Sequence, residues 1–187
     1  MNLNTILNIT DNLNTVDYIG TDKNTTHAYV EHFYEEAFKK YQDKNISLLE
    51  IGINSGGSLY LWGKYFYNGN ILGIDIEDNI KEKWKVLNNV KHLIKDAYDL
   101  NTIKDLPKFD IIIDDGPHTL ESQIWFIENY LTKMMPNGLL VIEDIQDIAH
   151  IEVLKQHTPK EYLSNAKSID LRSYKNRYDD ILYVIYT

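Results

Sequence analysis

The sequence predicts an α/β protein, a doubly wound sheet of seven strands with helices on both faces. Five apolar, β-rich runs alternate with stretches of helical periodicity, which implies parallel strands joined by right-handed crossovers. Two further β-rich runs close the chain, joined only by the short polar stretch "YKNRY", so they pair antiparallel at one edge. With 187 residues, 43% of them hydrophobic and 12% aromatic, the chain can bury a core of its own.

Residues 1–24 are polar and Asn-rich and read as an irregular or weakly helical lead-in, leaving 25–187 as one domain. In "TTHAYVEHFYEEAFKKYQ", Tyr29, Phe33, Ala37 and Tyr41 recur every fourth residue, with acids early and lysines late, as a helix and its dipole favour. "ISLLEIGI" (46–53) is the first buried strand, and "NSGGS" turns it into a helix over 58–66. "NILGIDI" (70–76) is the second strand, 80–87 a helix and "VKHLIKD" (90–96) the third strand. "FDIIIDD" (109–115) is the fourth strand, 120–134 a helix, and "NGLLVIED" (137–144) the fifth strand after a Pro-Asn-Gly turn. "AKSIDLRS" and "DDILYVIYT" form the closing pair. There is no internal repeat and no linker.

Composition removes several functions. Nineteen Lys and Arg stand against 28 Asp and Glu, a formal net charge of -9, so the average surface repels nucleic acid. The chain has no cysteine, which excludes disulfides, thiolate metal sites and a thiol nucleophile. No run approaches the ~20 apolar residues that cross a bilayer, and the N-terminus lacks a basic, then apolar, leader. The expectation is a soluble, cytoplasmic protein without a membrane partner.

Ligands of open α/β sheets sit beyond the carboxyl ends of the strands. Here those ends carry Glu50, Asp75, Asp96, Asp114, Asp115, Glu143 and Asp144. The turn "EIGINSGGS" fits neither the dinucleotide Gly-x-Gly-x-x-Gly nor the lysine-bearing phosphate loop. Gly52 and Gly56 would let backbone approach a ligand, and Glu50 could accept a hydrogen bond from an amine. Asp75 suits two ribose hydroxyls, and Asp96 with Ala97 lies where an adenine would sit. Asp115, Glu143 and Asp144 converge from adjacent strands as an all-oxygen site suited to Mg²⁺. His118, three residues after Asp115, would stand beside that ion as a base, its ordinary pKa near 6.5 suiting proton removal at neutral pH.

The glycine turn, the acids after strands two and three and the terminal pair together resemble class I S-adenosylmethionine-dependent methyltransferases. More narrowly, "GTDKNTTHAY", "LLEIGINSGGSLYLW", "ILGIDI", "FDIIIDDGPHT", "GLLVIED" and "DLRSYKNRYDDILYVI" are similar to the macrocin-type sugar O-methyltransferases and to relatives linked with cephalosporin methoxylation. Pro117 stands where serine is commoner in that family. The resemblance implies a Rossmann-like sheet whose last strand alone is antiparallel. It also implies S-adenosylmethionine held by Glu50, Gly52, Gly56, Asp75, Asp96, Ala97 and Asp114. Mg²⁺ falls on Asp115, Glu143 and Asp144, and His118 takes the base position. The implied activity is methylation of a hydroxyl on a sugar or other small-molecule or glycan acceptor, a vicinal diol included. A catechol-like phenol acceptor and a non-catalytic cofactor-binding scaffold stay open, as does a homo-oligomer.

Other readings compete for single residues. Asp114 and Asp115 could cap the helix that follows them. His27 reads as structural or as a cofactor-side contact, and His32, His92, His150 and His157 as surface or satisfied residues. Trp62, Trp84 and Trp125 read as core. Asp179 and Asp180 with Arg172 and Arg177 read as an ion-pair network bracing the closing hairpin.

Overall fold

The computed structural model describes residues 2–12, 21–82 and 86–187. Strands β1 (Ser47–Ile51), β2 (Asn70–Asp75), β3 (Val90–Ile94), β4 (Phe109–Asp114), β5 (Met134–Ile142), β6 (Ala166–Asp170) and β7 (Ile181–Tyr186) form one sheet in the order β3-β2-β1-β4-β5-β7-β6. All neighbours pair parallel except β7, which runs antiparallel to both β5 and β6. The expected seven-stranded sheet with one antiparallel strand is therefore present. β7 lies inside the sheet and β6 forms the edge. Strand order reverses between β1 and β4, which places the ligand crevice of an open α/β sheet at their carboxyl ends.

Alternation along the strands divides the core into two layers. Ile111, Ile113, Leu139 and Val141 pack to one side with α1 (Leu3–Asn12), α2 (Glu35–Lys39) and α3 (Gly57–Tyr65). Ile112, Leu140 and Ile142 pack to the other with α4 (Leu100–Lys104), α5 (Leu120–Tyr130) and α6 (His150–His157). Short helices α7 (Lys160–Leu163) and α8 (Arg172–Lys175) flank β6. No helix among the described residues is long and apolar enough to cross a membrane.

Local departures from expectation have physical causes. The lead-in contains a full helix, α1, because Leu3, Ile6 and Leu7 share one face and are buried against the first layer. The expected helix from Thr25 begins as a π-helical turn, Val30–Tyr34, and continues as α2. That wider turn sets Tyr29, Val30, Phe33 and Tyr34 all inward. The expected helix 80–87 crosses residues 83–85, and with Trp84 it lies outside the described residues. Trp62 is fully buried in the first layer, whereas Trp125 is half-buried and tilts against Tyr98 at 5.4 Å.

Candidate active site

Two glycines shape the turn after β1. Gly52 has φ +78°, and a Cβ there would lie 1.9 Å from the Asp115 carbonyl oxygen, so only glycine lets the β1 turn and the end of β4 touch. Gly56, at φ +87°, precedes α3 in the left-handed conformation. Asp75, the last residue of β2, fixes the same turn: Oδ2 accepts from the backbone N–H groups of Ile53 and Asn54, each at 2.9 Å.

A cleft of about 890 Å³ opens above these strand ends. Its wall includes Gly52, Asp75, Asp96 and Ala97 together with Asp115, His118 and Asp144. Four expected site residues are not on that wall. Gly56 acts through the backbone turn. Glu50 is fully buried behind it, accepting 2.7 Å from the Ser58 hydroxyl. Asp114 is buried beneath Tyr98, whose hydroxyl donates to it, and burial pushes its carboxyl up to about 7 against the pull of Tyr98 and Gly116. Glu143 is buried too, with one oxygen engaged by the Tyr34 hydroxyl and the other by the ammonium of Lys23.

Asp115, His118 and Asp144 come together, with one ligand atom of each within 4.8 Å of the others. His118 Nε2 stands 3.8 Å from Asp115 Oδ1 and 3.6 Å from Asp144 Oδ2. Both His118 (φ +58°) and Asp144 (φ +53°) adopt left-handed backbone, an uncommon conformation that aims their side chains into the cleft mouth. Burial lowers the His118 pKa while Asp144 pulls the other way, so the net shift favours the neutral imidazole. Helix α5 is capped by Thr119, which accepts 3.1 Å from Ser122 N. The alternative in which Asp114 and Asp115 cap that helix is thereby overturned.

Sequence reasoning missed the residues that hold these acids in place. Lys23, 1% exposed, sends its ammonium to Asp115 Oδ2 at 2.7 Å, to Glu143 Oε2 and to Glu50 Oε1 at 3.4 Å. Burial alone would lower its pKa; the surrounding carboxylates outweigh that and hold it well above the ordinary lysine value. Burial likewise raises Asp115 and Glu143, with Lys23 pulling both down. Tyr29 donates its hydroxyl to Asp144. His27 Nδ1 lies 3.2 Å from Asp180 Oδ1 and 3.3 Å from Asp144 Oδ1, stacked on Tyr29 at 4.8 Å, which suits the structural reading of His27. Asp180 thus belongs to the site's surroundings, while Arg177 pairs with Asp179 and Arg172 with Asp170. The missed signal was "GTDKNTTHAY", whose Lys23, His27 and Tyr29 all face the acids.

The donor set has the chemistry of a hard cation site. Carboxylates of Glu50, Asp115 and Glu143 share the single ammonium of Lys23, and Asp144 stands beside His118 and Asp115, an excess of acids that a divalent ion would offset.

Comparison with known proteins gives a consistent picture. The family described as "Methyltransferase domain" matches residues 49–145, just over half of the chain. The 8-demethyl-8-alpha-L-rhamnosyl tetracenomycin-C 2'-O-methyltransferase of Streptomyces olivaceus is 31% identical over 138 residues, covering 68% of this chain and 35% of that protein. Demethylmacrocin O-methyltransferase of Streptomyces fradiae is 32% identical over 139 residues, covering 68% and 34%. The chain therefore spans about a third of the length of these relatives. Among solved structures, the MycE methyltransferase of the mycinamycin biosynthetic pathway, in complex with Mg, SAH and mycinamycin VI, superposes with a TM-score of 0.63. It is 22% identical, and the match covers 86% of this chain and 49% of that one. The Methanococcus jannaschii fibrillarin pre-rRNA processing protein shares the fold at a TM-score of 0.59 and 15% identity, covering 77% and 67%.

Proposed function

The chain belongs to this methyltransferase-domain family, and from that premise we propose that it is an S-adenosylmethionine- and Mg²⁺-dependent O-methyltransferase. Its acceptor is a hydroxyl on a sugar or other small-molecule or glycan substrate. The observation that carries this reading is the single cleft: the residues suited to a nucleoside and the Asp115, His118, Asp144 cluster line one continuous space. A methyl donor at one end can then face a hydroxyl at the other. The names of the two relatives, both O-methyltransferases and one for a rhamnosyl compound, support a sugar hydroxyl. The Mg and SAH in the MycE complex support the cofactor pair.

Bound in the cleft, S-adenosylmethionine supplies an electrophilic methyl group, and Mg²⁺ supplies the positive charge that lowers the pKa of a hydroxyl. The rest falls to the chain. Asp75 would accept hydrogen bonds from the ribose hydroxyls, the backbone at Gly52 would lie against the methionine portion, and Asp96 with Ala97 would border the adenine. Asp115 and Asp144 would hold the ion. A hard cation prefers oxygen donors, so His118 would be free to take the acceptor's proton at Nε2.

Transfer of labelled methyl from S-adenosylmethionine to a panel of rhamnosides and other glycosides, with and without excess EDTA, tests this reading. Turnover should require added Mg²⁺. Full turnover in EDTA would sink the metal role, and failure to bind S-adenosylmethionine or S-adenosylhomocysteine in calorimetry would sink the whole proposal.

A further inference from the structure

Lys23 is out of place unless it has a task. Its ammonium is enclosed among carboxylates from three adjacent strand ends, Glu50 in β1, Asp115 after β4 and Glu143 after β5, and its own backbone is anchored. Lys23 N donates to Thr21 Oγ1 at 3.3 Å, and Lys23 O accepts from Val30 N at 3.1 Å at the start of the π-helical turn. The same segment delivers Tyr29 to Asp144 and Tyr34 to Glu143. Asp115 is the pivot. Its Oδ2 belongs to Lys23, while Oδ1 faces His118 and the Asp144 side.

We infer that Lys23 is a positioning residue that sets how strongly the site holds its divalent cation, by bridging Asp115, Glu143 and Glu50 as a fixed internal charge. This rests on the Mg²⁺ reading above. One positive charge spread over three acids leaves Asp115 a single oxygen for the ion. It also occupies Glu143 and reduces the negative charge that the ion meets. Ligand charge count, together with site rigidity, tunes affinity in all-oxygen sites. The ion is then held loosely enough for an acceptor hydroxyl to share its charge, in place of being caged by three carboxylates.

The test is calorimetric titration of Mg²⁺ into wild type, Lys23→Met and Lys23→Arg, each saturated with S-adenosylhomocysteine. Thermal melts in EDTA and in about 10 mM Mg²⁺, roughly tenfold above the dissociation constants of weak oxygen sites, accompany it. Lys23→Met should bind Mg²⁺ at least tenfold more tightly than wild type and show a larger Mg²⁺-dependent rise in Tm. Its turnover at saturating Mg²⁺ should fall, and Lys23→Arg should return the affinity to within about threefold of wild type. A lysine that merely props the fold would lower Tm without tightening Mg²⁺. Equal or weaker Mg²⁺ binding by a folded Lys23→Met overturns the inference. If Lys23→Met is unfolded in EDTA, Mg²⁺ should refold it, and failure to do so overturns the inference as well. Mg²⁺ bound by Lys23→Met alone would uphold the internal-charge role while removing Mg²⁺ from the wild-type mechanism; no binding by either protein overturns both.

Discussion

Replacing Gly52 by alanine probes the contact that joins the turn after β1 to the end of β4. An L-residue held at φ +78° costs ~1–2 kcal/mol. The added Cβ would start 1.9 Å from the Asp115 carbonyl oxygen and 2.5 Å from its carbon, both backbone atoms. Reaching ordinary contact then needs a main-chain shift of roughly 1.5 Å, and overpacking of that kind costs ~1–3 kcal/mol. Two backbone hydrogen bonds cross the same place, Gly52 N to Ile74 O at 3.0 Å and Asp115 N to Ile51 O at 2.9 Å, and their weakening adds to the cost. The expected destabilisation is ~3–5 kcal/mol, a large part of the ~5–15 kcal/mol that holds a domain folded. Urea denaturation followed by far-UV circular dichroism measures it. Gly73→Ala is the control, because its new Cβ would meet only side-chain atoms of Leu59 and Ile53. A Gly52→Ala protein within 1 kcal/mol of wild type, or no less stable than Gly73→Ala, would refute this account of the turn.

Asp75→Asn should weaken S-adenosylmethionine binding by ~1.5–3 kcal/mol through loss of charge-assisted hydrogen bonds, while keeping an oxygen for the Ile53 and Asn54 N–H groups; unchanged affinity in calorimetry would remove the ribose assignment. His118→Asn should lose ~10²–10⁴ in turnover with cofactor affinity preserved, asparagine being chosen because it tolerates the φ of +58°. Near-normal turnover of that variant would exclude His118 as the base. Tyr34→Phe leaves the buried Glu143 short of a donor and should cost ~1–3 kcal/mol of stability in urea titration. A neutral result would mean that Glu143 carries a proton of its own.

The sheet was legible because its signal is repeated. Triplets such as Ile111, Ile112 and Ile113 are buried on both faces of β4, and that double burial is what an uninterrupted apolar run encodes in a parallel strand. The acids at the strand ends were legible for a related reason, since topology alone brings the ends of β1, β2, β4 and β5 to one side of the sheet. What lay behind them was not. Whether Glu50 faces the cleft or the interior depends on which side of β1 it occupies. It packs behind the turn, with Ser58 and Lys23 as its partners. The lead-in read as no more than weakly helical because Leu3, Ile6 and Leu7 are spaced among Asn and Thr, and their partners come from distant segments.

Segment 21–34 shows why an acid-rich site needs residues far from it in sequence. Four carboxylates at neighbouring strand ends repel one another, and burial raises the cost of keeping Glu50, Asp115 and Glu143 ionised. The strands can supply only backbone donors there, because their own side chains are committed to the two core layers. A separate segment crossing the strand ends can bring donors from outside the sheet, and this one brings Lys23, His27, Tyr29 and Tyr34, each to a named acid. The outcome is asymmetric. Glu50 and Glu143 are enclosed, while Asp115 and Asp144 keep one oxygen each toward His118 at the cleft mouth. The reactive end of the cleft is therefore selected by which carboxylates the N-terminal segment covers, as much as by where the sheet places them.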